Sequence, residues 1–85
     1  MRIDKFLKVS RILKKREVGK QLALNDRLYI NDKLAKASSE IKVGDVVRIL
    51  FGHREIIIKV KEVRMTASKE QAFEMYEVIE ERKDN

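Results

Sequence analysis

The amino-acid sequence predicts an α+β fold in which two N-terminal helices precede a β-hairpin, a second hairpin and a C-terminal helix. Three patterns predict this fold. Apolar residues recur at helical spacing near the N-terminus, apolar and polar residues alternate between positions 28 and 60, and a helix-capping pattern follows position 67. The expected order of elements is therefore ααββββα, and the sheet should be small.

The first helix is predicted from the stretch Arg2 to Lys8. Ile3, Phe6 and Leu7 share one face of a helical wheel, and basic residues share the opposite face. Beyond Val9 this phase breaks, because a straight helix would turn the next apolar residues toward water. We therefore expect a bend within positions 9–14.

A second helix is predicted from about Lys15 to Leu24. It would bury Val18, Leu22 and Ala23. Gly19 lies inside it at a cost of about 1 kcal/mol relative to Ala, so we expect this glycine to allow close packing with the first helix.

The first hairpin is predicted from the stretch RLYINDK. Leu28 and Ile30 alternate with polar residues, and the pairs Asn25-Asp26 and Asn31-Asp32 on either side tolerate the left-handed backbone of turns. A second short strand and a loop should follow, up to a turn at Gly44-Asp45.

The second hairpin is predicted from alternation on both sides of Gly52-His53. Beyond it, Ser68 and Gln71 form a capping box, which predicts the start of a helix. One face of that helix would be apolar, with Ala72, Met75, Tyr76 and Ile79. The other would be acidic, with Glu70, Glu74, Glu77 and Glu81. The stretch MYEVIEE is also compatible with a short closing strand, so the end of this helix is left open.

Length and composition predict a single domain spanning residues 1–85, which we expect to be a monomer. Eighty-five residues suffice for one modest core. The chain has no Cys, which fits a reducing compartment, and no apolar run long enough for a signal peptide or a membrane span. We therefore expect a cytoplasmic protein that does not bind membranes.

The positive charge is concentrated in the first half of the chain. Residues 1–50 hold thirteen bases and six acids, whereas residues 51–85 hold seven bases and eight acids. Such polarity attracts polyanions, nucleic acid above all. The cations closest to the N-terminus are Arg2, Lys5, Lys8, Arg11, Lys14, Lys15, Arg16 and Lys20. On two short helices and a bend they would form a rigid convex surface, which matches a phosphate backbone better than a flexible tail does.

Little in the sequence points to catalysis. His53 is the single histidine and has no visible partner, and no Gly-rich phosphate loop or tight carboxylate cluster is present. We therefore expect a protein that is not an enzyme and that requires neither a cofactor nor a metal ion.

The stretches RIDKFL, KKREVGKQL and RLYINDKLAKASSEIKVGD together resemble the RNA-binding domain named after ribosomal protein S4. The resemblance covers Arg2 to about Ile49. It implies that the two-helix corner and the following hairpin face structured RNA. In the hairpin and its exit loop it adds Lys33, Lys36 and Ser38 as further RNA-binding candidates.

Three positions depart from the family pattern. Asp26 and Asp32 stand where the family usually has Gly, and Gly19 stands where it usually has Ala. The two acids put direct RNA contact by the hairpin in question more than contact by the helices.

The stretches MRIDKFLKVSRILKKR and AKASSEIKVGD, in a chain of this length, resemble the RqcP family of stand-alone ribosome-associated factors, relatives of a small ribosome-binding heat-shock protein. That resemblance implies a role in ribosome-associated quality control. The implied partners are large-subunit rRNA, peptidyl-tRNA on an obstructed large ribosomal subunit, and an RqcH-type factor that adds an alanine tail to the stalled chain.

Two other functions are compatible with the sequence. A DNA-binding regulator could use the two basic helices as a helix-turn-helix, although the second helix offers few base-reading side chains. A chaperone-like interaction module would use the acidic C-terminal helix, although Met75 and Tyr76 are expected to be needed for the core.

Overall fold

The computed structural model describes residues 1–83. Within them the elements are α1 (Ile3–Val9), α2 (Arg16–Leu24), β1 (Leu28–Ile30), β2 (Lys33–Leu34), β3 (Val46–Phe51), β4 (Arg54–Val60), α3 (Lys69–Phe73) and β5 (Tyr76–Lys83). The strands form one antiparallel sheet in the order β2-β1-β3-β4-β5. In this part of the chain, no helix has the length and apolar character needed to cross a membrane. The predicted α+β class is confirmed.

The bend between α1 and α2 is present where the helical phase breaks. Ser10 ends α1, Arg11 takes the left-handed conformation with φ 63°, and the Leu13 N–H donates to the Leu7 carbonyl at 3.0 Å. Glycine is the usual residue at a left-handed helix end. The turn carries Leu13 back into the core, where it is 3% exposed.

Gly19 lies where the two helices approach each other. A β-carbon at this position would lie 3.5 Å from Cα of Asp4 and 3.7 Å from Cδ1 of Leu13. This is ordinary van der Waals contact, so the expected close packing is confirmed and an alanine would also fit.

The two hairpins follow the predicted turns. Asn31 and Asp32 have φ 50° and 66° and join β1 to β2, while Gly52, with φ 60°, joins β3 to β4. Positive φ at both central residues is typical of the two-residue turns that match strand twist. Asp26 also has positive φ, 58°, so the two aspartates do hold turns.

One face of the sheet packs on the helices to form the core. The fully buried side chains come from α1, β1, β3, β4 and the link between α3 and β5, and they include Ile3, Phe6, Leu7, Leu28, Val47, Ile49, Ile58, Val60 and Met75. On the other sheet face the guanidinium of Arg48 lies 4.3 Å from the ring centre of Tyr29, its cross-strand neighbour.

The predicted C-terminal helix begins where expected but is short, and the closing strand, the alternative left open by the sequence, follows it. The capping box is confirmed, since the Gln71 N–H donates to Ser68 Oγ and the Ser68 N–H to Gln71 Oε1. The helix nevertheless ends at Phe73, and β5 pairs with β4 over its whole length, with a bulge at Ile57/Ile58. A short helix is only marginally stable by itself, whereas β5 forms hydrogen bonds with the otherwise unpaired edge of β4.

Because the helix is short, the apolar and acidic faces predicted for it are also different. Ala72 and Met75 are buried as expected and Tyr76 is half-buried, but Ile79 is 52% exposed. The four glutamates do not share one helical face: Glu70 lies on α3 and Glu74 caps it, whereas Glu77 and Glu81 lie on β5. Asp84 and Asn85, the last two residues of the C-terminal segment, lie outside the described residues.

Candidate RNA interface

A buried carboxylate organises the N-terminal helices. Asp4 is 0% exposed, and its Oδ1 accepts a hydrogen bond from Nη2 of Arg16 at 3.3 Å. Its Oδ2 forms an ion pair with Arg16, with Nε 3.0 Å away. Nη2 of Arg2 lies 3.2 Å from Oδ2, and the Lys5 N–H donates to Oδ1 at 2.8 Å. A single carboxylate thus holds one arginine from the start of α1 and another from the start of α2.

These contacts decide the charge of Asp4. Burial by itself would raise the pKa of the carboxyl, but the hydrogen bonds from Arg16 and from the Lys5 N–H, together with the charges of Arg16 and Arg2, outweigh burial and lower that pKa below its ordinary value. Asp4 is therefore ionised at neutral pH, and it orients both guanidinium groups through charge-assisted hydrogen bonds.

The two arginines remain available for a ligand. The Arg2 side chain is 45% exposed and that of Arg16 is 40% exposed. Each guanidinium has five N–H donors, so contact with Asp4 leaves donors free on its outer side. Both groups are held in a defined position before any partner arrives.

Asp4 is absent from the candidates taken from the sequence, which are all cationic apart from Ser38. One signal could have revealed it: a carboxylate between Ile3 and Leu7, next to the buried face of the helix, needs cationic partners. The packing of Gly19 against Asp4 was not visible without the structure.

The remaining predicted cations lie on the same two helices and on the bend between them. We define the cationic corner as Arg2, Lys5, Lys8, Arg11, Lys14, Lys15, Arg16 and Lys20, on α1, the bend and α2. Lys8, Arg11, Lys14 and Lys15 are exposed, and Lys5 is half-buried. Lys20 Nζ lies 3.8 Å from a carboxylate oxygen of Glu17, one turn earlier on α2.

The exit loop of the first hairpin joins this corner. The Ile3 N–H donates to the Ser39 carbonyl at 2.8 Å and the Asp4 N–H to the Ala37 carbonyl at 3.3 Å. These bonds satisfy the free N–H groups at the start of α1. They also bring the loop that carries Lys36 and Ser38, both exposed, to the start of α1.

Lys33 is placed differently. It is exposed on β2, in a shallow depression that it shares with Glu40, Lys42 and Asp45. Neighbouring acids weaken the attraction of this region for phosphate. Of the three hairpin candidates, the structure therefore groups Lys36 and Ser38 with the corner and leaves Lys33 apart.

The fold and the first part of the chain define its class. Residues 1–47 match the family described as S4 domain, and this stretch contains the whole cationic corner and the first hairpin. Trimeric heat shock protein 15 from Vibrio cholerae superposes with a TM-score of 0.84 at 23% identity, over 92% of this chain and 80% of that one. A hypothetical protein, HP1423, gives a TM-score of 0.79 at 22% identity, over 92% and 95% of the two chains. At these identities the two structures show a shared fold.

Sequence similarity to characterised proteins is higher. The RQC P-site tRNA stabilizing factor of Streptococcus pneumoniae is 47% identical over 81 residues, which cover 95% of this chain and 92% of that protein. The factor of the same name from Bacillus subtilis is 45% identical over 83 residues, which cover 98% and 96% of the two chains. The chain belongs to this family of S4-domain factors.

The two alternative functions gain little from the structure. A recognition helix would have to read bases through α2, which offers few suitable side chains, and one of them, Lys20, lies 3.8 Å from a carboxylate oxygen of Glu17. For the interaction module, Met75 is needed in the core as expected, while Phe73, Val78 and Ile79 are exposed on α3 and β5. These three exposed side chains were not expected.

Proposed function

We propose that the protein is a non-enzymatic RNA-binding factor of ribosome-associated quality control. In this proposal it binds rRNA of the large ribosomal subunit and stabilises peptidyl-tRNA in the P site of an obstructed subunit. The supporting observation is the arginine pair held by Asp4, which belongs to a cationic corner within the S4 match. The choice of P-site tRNA as the ligand is taken from the name of the relatives, RQC P-site tRNA stabilizing factor.

The geometry explains why such a corner suits structured RNA. Phosphates repeat at fixed spacing along a backbone, so cations held in place by folding bind them without a further loss of conformational freedom. Arginine brackets a phosphate with two parallel hydrogen bonds, while lysine acts as a point charge. Arg2 and Arg16 would set the position of the RNA, and the surrounding lysines would add affinity.

The wider role follows from the family. We propose that the protein acts as a monomer in the cytoplasm, on the large subunit, and supports alanine tailing of the stalled chain by an RqcH-type factor. Holding the tRNA in place requires binding energy alone, which is consistent with a protein that is not an enzyme.

Cosedimentation with isolated large ribosomal subunits tests the proposal. We expect wild-type protein to pellet with the subunits at about 0.1 M salt. Arg16→Ala should weaken this binding by about 5- to 150-fold, the equivalent of about 1–3 kcal/mol for one arginine with charge-assisted contacts. Arg16→Lys should bind more tightly than Arg16→Ala but less tightly than wild type, because lysine restores the charge but not the planar guanidinium.

The matched control is Lys59→Ala, which removes an exposed cation from β4, outside the cationic corner. It should bind like wild type. Because Arg16 also contacts Asp4, circular dichroism must show that each variant is folded at the assay temperature. Equal binding by Arg16→Ala and wild type, or equal loss in Lys59→Ala, would contradict the proposed interface.

A further inference from the structure

We propose that a groove beside the bend holds one unpaired nucleotide of the bound RNA, with its base on Met65 and its phosphate on the cationic rim. This inference rests on the proposed RNA-binding function and deepens it. The groove is lined by Lys8, Val9, Arg11, Leu13, Lys14, Met65, Thr66 and Ala67. One of its walls, positions 65–67, lies outside the 47 residues that match the S4 domain.

Two contacts connect that wall to the cationic corner. Nζ of Lys5 lies 4.0 Å from the sulfur of Met65, and Nη2 of Arg11 lies 3.5 Å from the Ala67 carbonyl oxygen. The second distance is at the outer limit of a hydrogen bond, so the Arg11 guanidinium keeps its donors for a stronger acceptor. Ala67 packs against the hydrophobic core and anchors the wall.

The charge of the groove selects an anion. Among residues 1–83, those that line it include three bases and no carboxylate. A concave surface of one sign concentrates ligands of the opposite sign. The nearby acids Glu62 and Glu74 lie within ion-pair distance of Arg64 instead.

The apolar part of the groove selects a flat, weakly polar group. Met65 is 65% exposed, Val9 is half-buried and Leu13 is buried beneath them. A methionine side chain is flexible and polarisable, and its sulfur makes favourable contacts with aromatic rings. A phosphate alone would leave this surface unused, whereas a nucleotide supplies both a phosphate and a ring. Only an unpaired base can turn its face to a side chain in this way.

The conformation of Arg11 marks the bend as a candidate ligand site. Its φ of 63° places a side chain with a β-carbon where glycine is the usual residue. Strained positions of this kind concentrate at ligand sites, where the side chain has a use that offsets the strain. Here the left-handed turn places the Arg11 side chain along the rim, against Ala67.

Three RNA hairpins with the same stem test the inference. The first is fully paired, the second has a single-nucleotide bulge, and the third has an abasic bulge. We expect wild type to prefer the bulged hairpin over the other two by about two- to tenfold, the range for contact between a methionine side chain and an aromatic ring. Met65→Ala should remove this preference and leave affinity for the paired hairpin unchanged.

The matched control is Phe73→Ala, since Phe73 has the same 65% exposure as Met65 and does not line the groove. It should keep the preference. Arg11→Gly gives an independent test, because it removes the guanidinium and relieves the left-handed strain. We expect its melting temperature to equal or exceed that of wild type, while its affinity for the bulged hairpin falls.

Three results would overturn the inference. Wild type could bind all three hairpins equally, which would refute the groove and leave the proposed RNA-binding function standing. Met65→Ala could keep the wild-type preference. A glutamate-rich peptide, but no RNA, could shift the Met65 methyl resonance, which would make the groove a peptide site. Failure to bind any of the hairpins or the large subunit would instead refute the proposed function together with the groove.

Discussion

Replacing Asp4 by Asn removes the charge that holds the two arginines and changes almost nothing in size. The asparagine carbonyl can still accept a hydrogen bond from the Lys5 N–H. Its NH2 group, however, would lie against the N–H groups of a guanidinium, and two donors cannot form a hydrogen bond. Hydrogen bonds to charged groups contribute about 1.5–3 kcal/mol each. Because the Arg2 and Arg16 side chains are 45% and 40% exposed, solvent weakens both pairs, and we expect a total loss of about 2–3 kcal/mol.

For a chain of this size, that loss corresponds to a fall in melting temperature of about 10–20 °C at pH 7. Thermal unfolding followed by circular dichroism measures it. Glu17→Gln is the matched control, because it neutralises an exposed carboxylate whose nearest cation, Lys20, lies 3.8 Å away. We expect this control to unfold near the wild-type temperature.

The pH dependence gives a second, independent check of the same interaction. Folding lowers the pKa of Asp4, so its contribution is fully present above the unfolded value of about 3.9 and is lost as pH falls through the lower folded value. The stability difference between wild type and Asp4→Asn should therefore be constant between about pH 5 and 8 and shrink below about pH 4. Equal stability of the two proteins at pH 7, or a difference that grows in acid, would refute the stabilising contact of Asp4 with Arg2 and Arg16.

Two further predictions concern the sheet and its turns. Asp32→Gly should raise the free energy of unfolding by about 0.5–1 kcal/mol, because glycine carries no steric penalty at φ 66°. A urea titration would show this as a higher unfolding midpoint, and a lower midpoint would contradict it. Met75→Ala should lower the free energy of unfolding by about 2–5 kcal/mol, because Met75 is fully buried between α3 and β5. An unchanged urea midpoint would mean that this end of the chain does not belong to the core.

The N-terminal half could be predicted from its sequence because its signals are local. Both helices and the bend were predicted from local spacing: Ile3, Phe6 and Leu7 lie on one helical face, and the phase breaks after Val9. The two hairpins followed from alternation and from residues that tolerate positive φ. In each case the residues that determine the element lie within or beside it.

The rest depended on distant contacts. Residues 76–83 form a strand because β4 offers an unpaired edge, which the local helical spacing of Met75 and Ile79 does not reveal. Asp4 joins α1 to α2 through Arg16, twelve positions along the chain. The groove at Met65 needs a loop from beyond the second hairpin to lie against the bend. Charge and periodicity located the cations, but not the carboxylate that positions two of them.

The salt dependence of RNA binding tests the central claim most directly. If about six cations of the corner neutralise phosphates, the logarithm of the binding constant should fall with the logarithm of salt concentration with a slope of about −4 to −5. The double variant Lys8→Ala/Lys15→Ala, which removes two exposed cations, should reduce the slope by about 1.5 and leave the fold intact. A wild-type slope near zero, or the same slope in the double variant, would contradict binding through the cationic corner.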